Sequence, residues 1–237
     1  MAVKLDQSPC CRGHNKRSIL RPGRILIACL LVLVGLRLFV LLPVRVVSES
    51  MLPTLHIGDI LLADITCYVL RLPFFHTRIL NTGSPQRGDI VLFAYPLDKR
   101  QVYLKRIIGL PGDVVVLKDH SLFLNGKQVI VQPACIRDRA ALHSKEHFTW
   151  EGKERFGDRD HAVMFDGDGS ADRATRRFKV PAGAYFVLGD NRDHSVDSRK
   201  WGFVPNENLI GRPFVILFSW DTSRHRVEWA RTGMNIH

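Results

Sequence analysis

Hydrophobic and polar positions divide the chain into three textures. Residues 1–24 are polar and basic. Twenty apolar-dominated residues follow, "ILIACLLVLVGLRLFVLLPV", from Ile25 to Val44. Beyond Ser50 the apolar residues come in short runs, "DILLADI", "DIVLFAY", "VYLKRIIGL", "VVVLKD", "SLFLNGKQVIV", "AYFVLGD" and "PFVILFSW", punctuated by Gly-Asp, Pro-Gly-Asp and Asn-Gly. A twenty-residue helix is about 30 Å long, the thickness of a bilayer's hydrocarbon core, so 25–44 predicts one transmembrane helix. The short runs are rich in Val, Ile, Leu, Phe and Tyr and lack a sustained 3.6-residue period, so they predict strands, with a hairpin turning at Asn125 and Gly126. The predicted class is mostly β: a single N-terminal transmembrane helix, then an antiparallel β-sheet domain over 45–237. Residues 134–178 are dense in charge and glycine and predict a smaller, looser inserted lobe, after which the β pattern resumes at "RFKVPAGAYFVLGD".

Charge adds orientation to this outline. The chain carries a net +11, and its first 24 residues hold Lys4, Arg12, Lys16, Arg17, Arg21 and Arg24 against Asp6 alone. With no continuous basic helix and no aromatic platform elsewhere, nucleic-acid binding is set aside. The basic flank predicts an N-terminal tail kept in the cytoplasm, a single pass through the lipid bilayer, and residues 45–237 on the exported side. Arg37 inside the span costs roughly 2.5 to 3.5 kcal/mol at mid-bilayer, but lies about 12 Å along the helix from Arg45 and can snorkel toward that interface. A cleavable signal peptide would need an A-x-A pattern after the apolar run, and none follows. Cys10 and Cys11 fall in the tail and Cys29 in the span; Cys67 and Cys135 are exported, either as one disulfide or as two buried thiols.

Candidate chemistry begins at "SESMLPTL", residues 48–55. In an extended strand Ser48 and Ser50 share a face about 7 Å apart, with Pro53 ending regular pairing. One hydroxyl can attack while the other, with a backbone N–H, stabilises an oxyanion; two ordinary strand serines before a turn proline give the same pattern. A nucleophilic serine needs a base. His56 and His76 follow closely, but no G-x-S-x-G elbow accompanies them. A lysine serves if burial lowers its pKa by roughly 3 units from near 10.4. In "VYLKRIIGLPGD", Tyr103, Lys105 and Ile107 share one face, and Leu104 and Ile108 the other, so Lys105 is either such a base or a strand-edge lysine reaching water. The polar stretch "LGDNRDHSVDSRKWGFVP", 188–205, brings Asp190, Asp193 and Asp197, which would raise a facing lysine's pKa unless Arg106, Arg192 or Arg199 paired with them. Ser195 offers the lysine an uncharged hydroxyl.

These stretches, "SESMLPTL", "RGDIVLFAYP", "YLKRIIGLPGD" and "GDNRDHSVDSRKWGFVP", resemble in order the motif boxes of bacterial type I signal peptidases, membrane-bound leader peptidases that use a serine and lysine dyad. The surrounding β-runs extend the resemblance through most of 44–218. It implies Ser50 as nucleophile, Lys105 as general base, Ser48 as an oxyanion-hole hydroxyl beside the Ser50 N–H, and Ser195 as a hydrogen-bond partner of the lysine. Asp197 with Arg199 match a supporting ion pair, with Arg106 and Asp190 near them. Val46, Met51, Leu55, Leu92, Tyr103 and Leu104 fall where the family lines pockets for small residues at substrate positions −1 and −3. Glu49 stands where many relatives have glycine, and Val47 where the best-known member has proline; on strand alternation Glu49 points away from the pocket. One span replaces the two of some enterobacterial relatives, and 134–178 has no counterpart.

The implied activity is removal of N-terminal signal peptides from exported preproteins at the bacterial cytoplasmic membrane, with no metal or cofactor. A conjugation-pilin maturation peptidase of the same family is the nearest alternative; an idle, membrane-tethered module binding extended peptides by strand addition is the more distant one. "HSKEH", His143 to His147, fits an inverted zincin pattern but sits in the glycine-broken insertion rather than on a helix. "DGDGSADR", 166–173, lacks the glycine and final glutamate of a calcium loop and reads as a solvated acidic turn.

Overall fold

The structure is a computed structural model and describes residues 23, 25–27, 29–30, 40–71, 78–118, 120–133, 149–157, 159–166, 175–222 and 224–236. The chain divides into two units, Met1–Leu38 and Phe39–His237. In the first, the described residues are helical, and Ile25, Leu26, Ile27 and Leu30 expose their apolar side chains. No helix among the described residues is long and apolar enough to cross a membrane, and half of the predicted span, Arg37 included, lies outside them. Its predicted end is corrected. Leu41–Arg45 is strand β1, paired antiparallel with β2 (Asp59–Asp64) from Leu41↔Asp64 to Arg45↔Ile60. An edge strand accommodates Pro43, which has no N–H to donate, and lateral pairing satisfies backbone groups that an apolar run alone would assign to a helix.

The second unit continues with β3 (Val69–Arg71), β4 (Arg78–Asn81), β5 (Ile90–Ala94), β6 (Val102–Gly109), β7 (Val114–Lys118), β8 (Ser121–Leu124) and β9 (Lys127–Val129). There follow β10 (Val131–Pro133), β11 (Thr149–Phe156), β12 (Arg159–Asp166), β13 (Arg176–Lys179), β14 (Ala184–Leu188), β15 (Val204–Pro205), β16 (Leu209–Asp221) and β17 (Arg226–Val227). The main sheet is ordered β1-β2-β16-β5-β6-β14-β15, with β17 also on β16, and all of its pairs are antiparallel. A four-stranded sheet, β13-β7-β8-β9, packs Val115, Leu122 and Val129 against Ile108, Phe186 and Leu188 of the main sheet. Asn125 and Gly126 turn its β8–β9 hairpin with φ of 50° and 82°, the left-handed pair a two-residue loop requires.

The described residues within 134–178 are more regular than the composition of that stretch suggests. Thr149–Phe156 and Arg159–Asp166 pair antiparallel from Thr149↔Asp166 to Phe156↔Arg159, while Arg176–Lys179 belongs to the four-stranded sheet. The reason is strict alternation: Gly152, Glu154 and Phe156 are buried, and Lys153, Arg155 and Gly157 exposed. Charge on every second residue conceals a buried face.

Candidate active site

The chain leaves β1 extended through Ser48 and turns once in a 3-10 helix, Glu49–Met51. Ser48 caps that turn: with φ −131° and ψ 147°, its Oγ accepts a hydrogen bond from the Ser50 N–H at 3.3 Å. The expected strand alternation of Ser48 and Ser50 is thus corrected, because a serine side chain that satisfies the amide two residues on competes with ladder pairing. Glu49 is exposed, while Ser50, Met51 and Leu55 are buried. The turn closes through Leu52 N–H to Glu49 O and Leu55 N–H to Met51 O.

Lys105 reaches the turn from the middle of β6, where it is paired with Val91. Its Nζ donates to Ser50 Oγ at 2.5 Å, and the residue is only 4% exposed. Burial lowers its pKa to about 8; Asp197 and Asp190 pull the other way, and Arg199 assists the lowering. No hydrogen bond or ion pair joins Lys105 to a carboxylate among the described residues. Serine and lysine therefore meet as an alcohol and an amine that is readily neutral.

Three ion pairs, those of Arg106 and Arg192 buried, brace the segments around this contact. Arg106, next on β6 and facing the opposite way, donates Nε and Nη2 to Asp190 at 2.8 and 2.7 Å and Nη1 to Gly88 O at 2.6 Å. Burial alone would raise the Asp190 carboxyl, but Arg106 outweighs it and holds the pKa below the usual range, helped by Thr54 Oγ1, which donates to Oδ2 at 2.5 Å. Asp197 caps the one-turn helix Ser198–Trp201, accepts from Gly189 N–H at 3.0 Å, and pairs with Arg199 at 2.8 Å. Arg199 also donates to the Arg192 and Ser195 carbonyls, which ties the loop to itself. The third pair corrects an expectation: Arg192 pairs not with a loop aspartate but with Glu154 of β11, bidentately. Asp193 lies 3.9 Å from His120 Nδ1.

Ser195 is buried against the site, yet its Oγ makes no hydrogen bond among the described residues, Lys105 included. The contact implied by resemblance is not formed. Of the six expected pocket residues, Val46, Met51 and Leu55 share a cluster with Leu61, Ile90 and Ile216, and Leu104 packs on it. Leu92 is buried opposite Leu104 across the β5–β6 ladder. Tyr103 projects from the other face of β6, where its ring stacks on Tyr95 at 4.7 Å and lies 5.9 Å from Lys105 Nζ. The structure thus gathers four, flanks them with a fifth, and sets Tyr103 beside the lysine.

Sequence reasoning passed over Gly189 and Asn191. A Cβ on Gly189 would lie 2.3 Å from Ser195 Oγ and 2.4 Å from Ser50 O, so only glycine lets the loop approach the Ser50 turn. Asn191 donates its N–H to Ser50 O and its Nδ2 to Glu49 O, both at 3.2 Å. Neither residue carries a local signal beyond its place in the polar loop. Among the described residues no group of three or more His, Cys, Asp or Glu is arranged to hold a metal, and "HSKEH" and Cys135 lie outside them.

Comparison with known proteins bears on the whole of this arrangement. The family model described as signal peptidase, peptidase S26, matches residues 19–219. A signal peptidase I of Pseudomonas fluorescens is 36% identical over 234 residues, covering 93% of this chain and 81% of that protein. The signal peptidase I of Pseudomonas aeruginosa is 34% identical over 218 residues, 87% of this chain and 75% of its own. A crystal structure of a signal peptidase I from Enterococcus faecalis aligns at 31% identity over 54% of this chain and 96% of that one, and its TM-score of 0.32 is too low for a comparison of site geometry.

Proposed function

The chain belongs to the signal peptidase family, peptidase S26, a family of serine-type peptidase hydrolases, and from that premise we propose that it cleaves signal peptides with a Ser50–Lys105 dyad while tethered to a membrane. The observation that carries the dyad is the 2.5 Å contact between Lys105 Nζ and Ser50 Oγ, in a site where burial holds the lysine near neutrality. Neutral Lys105 takes the Ser50 proton as Oγ attacks the carbonyl of the scissile bond. The resulting lysinium then protonates the leaving amine, and an ester to Ser50 remains. Water, deprotonated by the same amine, releases the acyl half and restores the serine. The tetrahedral oxyanion forms beside the Ser50 N–H and Ser48 Oγ. Both donate once the weak 3.3 Å bond between them opens, with the hydroxyl rotating to present its proton.

A preference for small residues before the scissile bond is supported by the apolar residues beside the Ser50 turn: Val46, Met51 and Leu55 are buried there with Leu104 packed on them, where a charged side chain would pay for desolvation. The tether is residues 25–44 shortened at its end by β1, and the exposed Ile25, Leu26, Ile27 and Leu30 are what a lipid-facing helix presents. This orientation leaves the tail 1–24 cytoplasmic and Ser50 on the exported side, close to where membrane-inserted preproteins emerge.

The test is cleavage of a model preprotein in liposomes by the full chain and by Ser50→Ala and Lys105→Ala. Wild type should release the mature protein after a small residue, with or without chelator, and both variants should be inert. Turnover surviving in either variant removes that residue from the mechanism.

A further inference from the structure

The β11–β12 hairpin touches the site at both backbone and side-chain level. Met164 of β12 donates its N–H to Asp190 O and accepts from Arg192 N–H, each at 2.8 Å, forming a parallel bridge with Asn191. Asn191 is the residue that holds the carbonyls of Glu49 and Ser50. Glu154 of β11 is wholly buried and grips both Nη atoms of Arg192, whose Nε donates to Gly189 O at 3.2 Å. His161 Nε2 lies 3.2 Å from the second oxygen of Glu154, and the Phe165 ring lies 5.7 Å from the Arg192 guanidinium carbon. The hairpin, the 189–192 segment and the nucleophile turn are therefore joined by contiguous hydrogen bonds.

Stability does not account for the charged part of this chain of contacts. A buried ion pair is often matched or exceeded in stability by well-packed apolar residues of similar volume. A bidentate carboxylate–guanidinium pair does supply direction, because its planar fork admits one geometry. Here that geometry fixes Arg192, whose Nε holds Gly189 O, and so braces the 189–192 segment from which the Asn191 N–H reaches the carbonyl of Ser50.

Taking Ser50 as the nucleophile, as proposed above, we infer that the β11–β12 hairpin positions it, with Glu154 as a positioning residue acting through Arg192 and Asn191. The hairpin keeps Ser50 Oγ within hydrogen-bond reach of Lys105 Nζ without touching substrate. A displacement of about 1 Å at a reacting group can cost on the order of a hundredfold in rate, so a modest relaxation of this contact is enough to be measured.

The experiment compares wild type, Glu154→Gln and the double variant Glu154→Met with Arg192→Met, all as full chains in liposomes with a model preprotein. The double variant removes both charges, so it keeps the inference testable if the single variant leaves Arg192 unpaired and fails to fold. Both variants should lower kcat by about 10- to 100-fold while KM stays within about twofold, and crystal structures should show a lengthened Ser50 Oγ–Lys105 Nζ separation. A folded double variant with wild-type kcat and an unchanged separation would overturn the inference. A wild type that cleaves no preprotein, alongside a variant with a lengthened separation, would sink the peptidase reading and leave the positioning role standing.

Discussion

Lys105 and Arg106 are neighbours on β6, are 4% and 1% exposed, and have opposite surroundings. Lys105 meets a hydroxyl and a tyrosine ring: Ser50 Oγ at 2.5 Å and the Tyr103 ring at 5.9 Å. Arg106 meets the Asp190 carboxylate at both of its oxygens, while Arg199–Asp197 and Arg192–Glu154 brace the neighbouring loop. Burial depresses the pKa of Lys105 while Asp197 and Asp190 act against it, so burial is not the whole account of its protonation. What decides it is which cation the carboxylates can reach and which cation is able to lose its proton. Asp190 and Asp197 would keep a nearby lysine charged if left free, and pairing each with an arginine reduces that pull while preserving the structure they brace.

The sharpest way to break this division is to put a permanent charge on the neutral side. Lys105→Arg keeps the charge type and approximate length but stays protonated at any working pH, so preprotein cleavage should fall by roughly 10⁴-fold with the fold intact by circular dichroism. A variant retaining more than a few per cent of wild-type turnover would mean that no neutral amine is needed there.

The converse change strips the ionic side. Arg106→Met leaves Asp190 buried without its partner, and urea unfolding should show a loss of about 3 to 5 kcal/mol. An unfolding midpoint unchanged from wild type would show that Thr54 and water suffice for that carboxylate.

A smaller effect belongs to the hydroxyl that caps the Ser50 turn. If Ser48 donates only to the tetrahedral intermediate, Ser48→Ala should lower kcat by about 10²-fold with KM nearly constant, and Ser48→Thr should recover part of the loss. A raised KM at full kcat would make Ser48 a cap and a substrate contact and nothing more.

The mildest probe leaves the sequence intact and varies proton concentration. Burial depresses the folded-state pKa of Lys105 to about 8, and in the proposed mechanism the neutral amine is the active form. Log kcat/KM should therefore rise with unit slope below that value and level off above it, a gain of roughly tenfold from pH 7 to pH 9. A profile flat across pH 6 to 9 would place the titrating base elsewhere.

Much of the fold is written locally. The runs "DILLADI", "DIVLFAY" and "VYLKRIIGL" became β2, β5 and β6, and Asn125-Gly126 became a hairpin turn, because short β-rich runs bounded by turn residues and left-handed turn residues act over a few positions. The stretch "LLPVR" misled, since an apolar edge strand continuing an apolar run has no period to separate it from a helix. The β11–β12 hairpin was legible in one respect that composition hid: Glu154 shares the strand parity of Phe156, so its side chain faces inward.

Sequence alone determined which residue types stand at the site and the alternating placement of Tyr103, Lys105 and Arg106 along β6, because alternation is a property of a strand by itself. Tertiary structure decided everything that depends on distance between segments. Ser50 and Lys105 are 55 positions apart, Arg192 and Glu154 are 38 apart, and Asn191 and Glu49 are 142 apart. Whether Lys105 is a charged surface lysine or a neutral base, and whether Arg192 answers a loop aspartate or Glu154, turns on desolvation and on charges a few ångströms away. Those are set only when strands distant in sequence pack side by side.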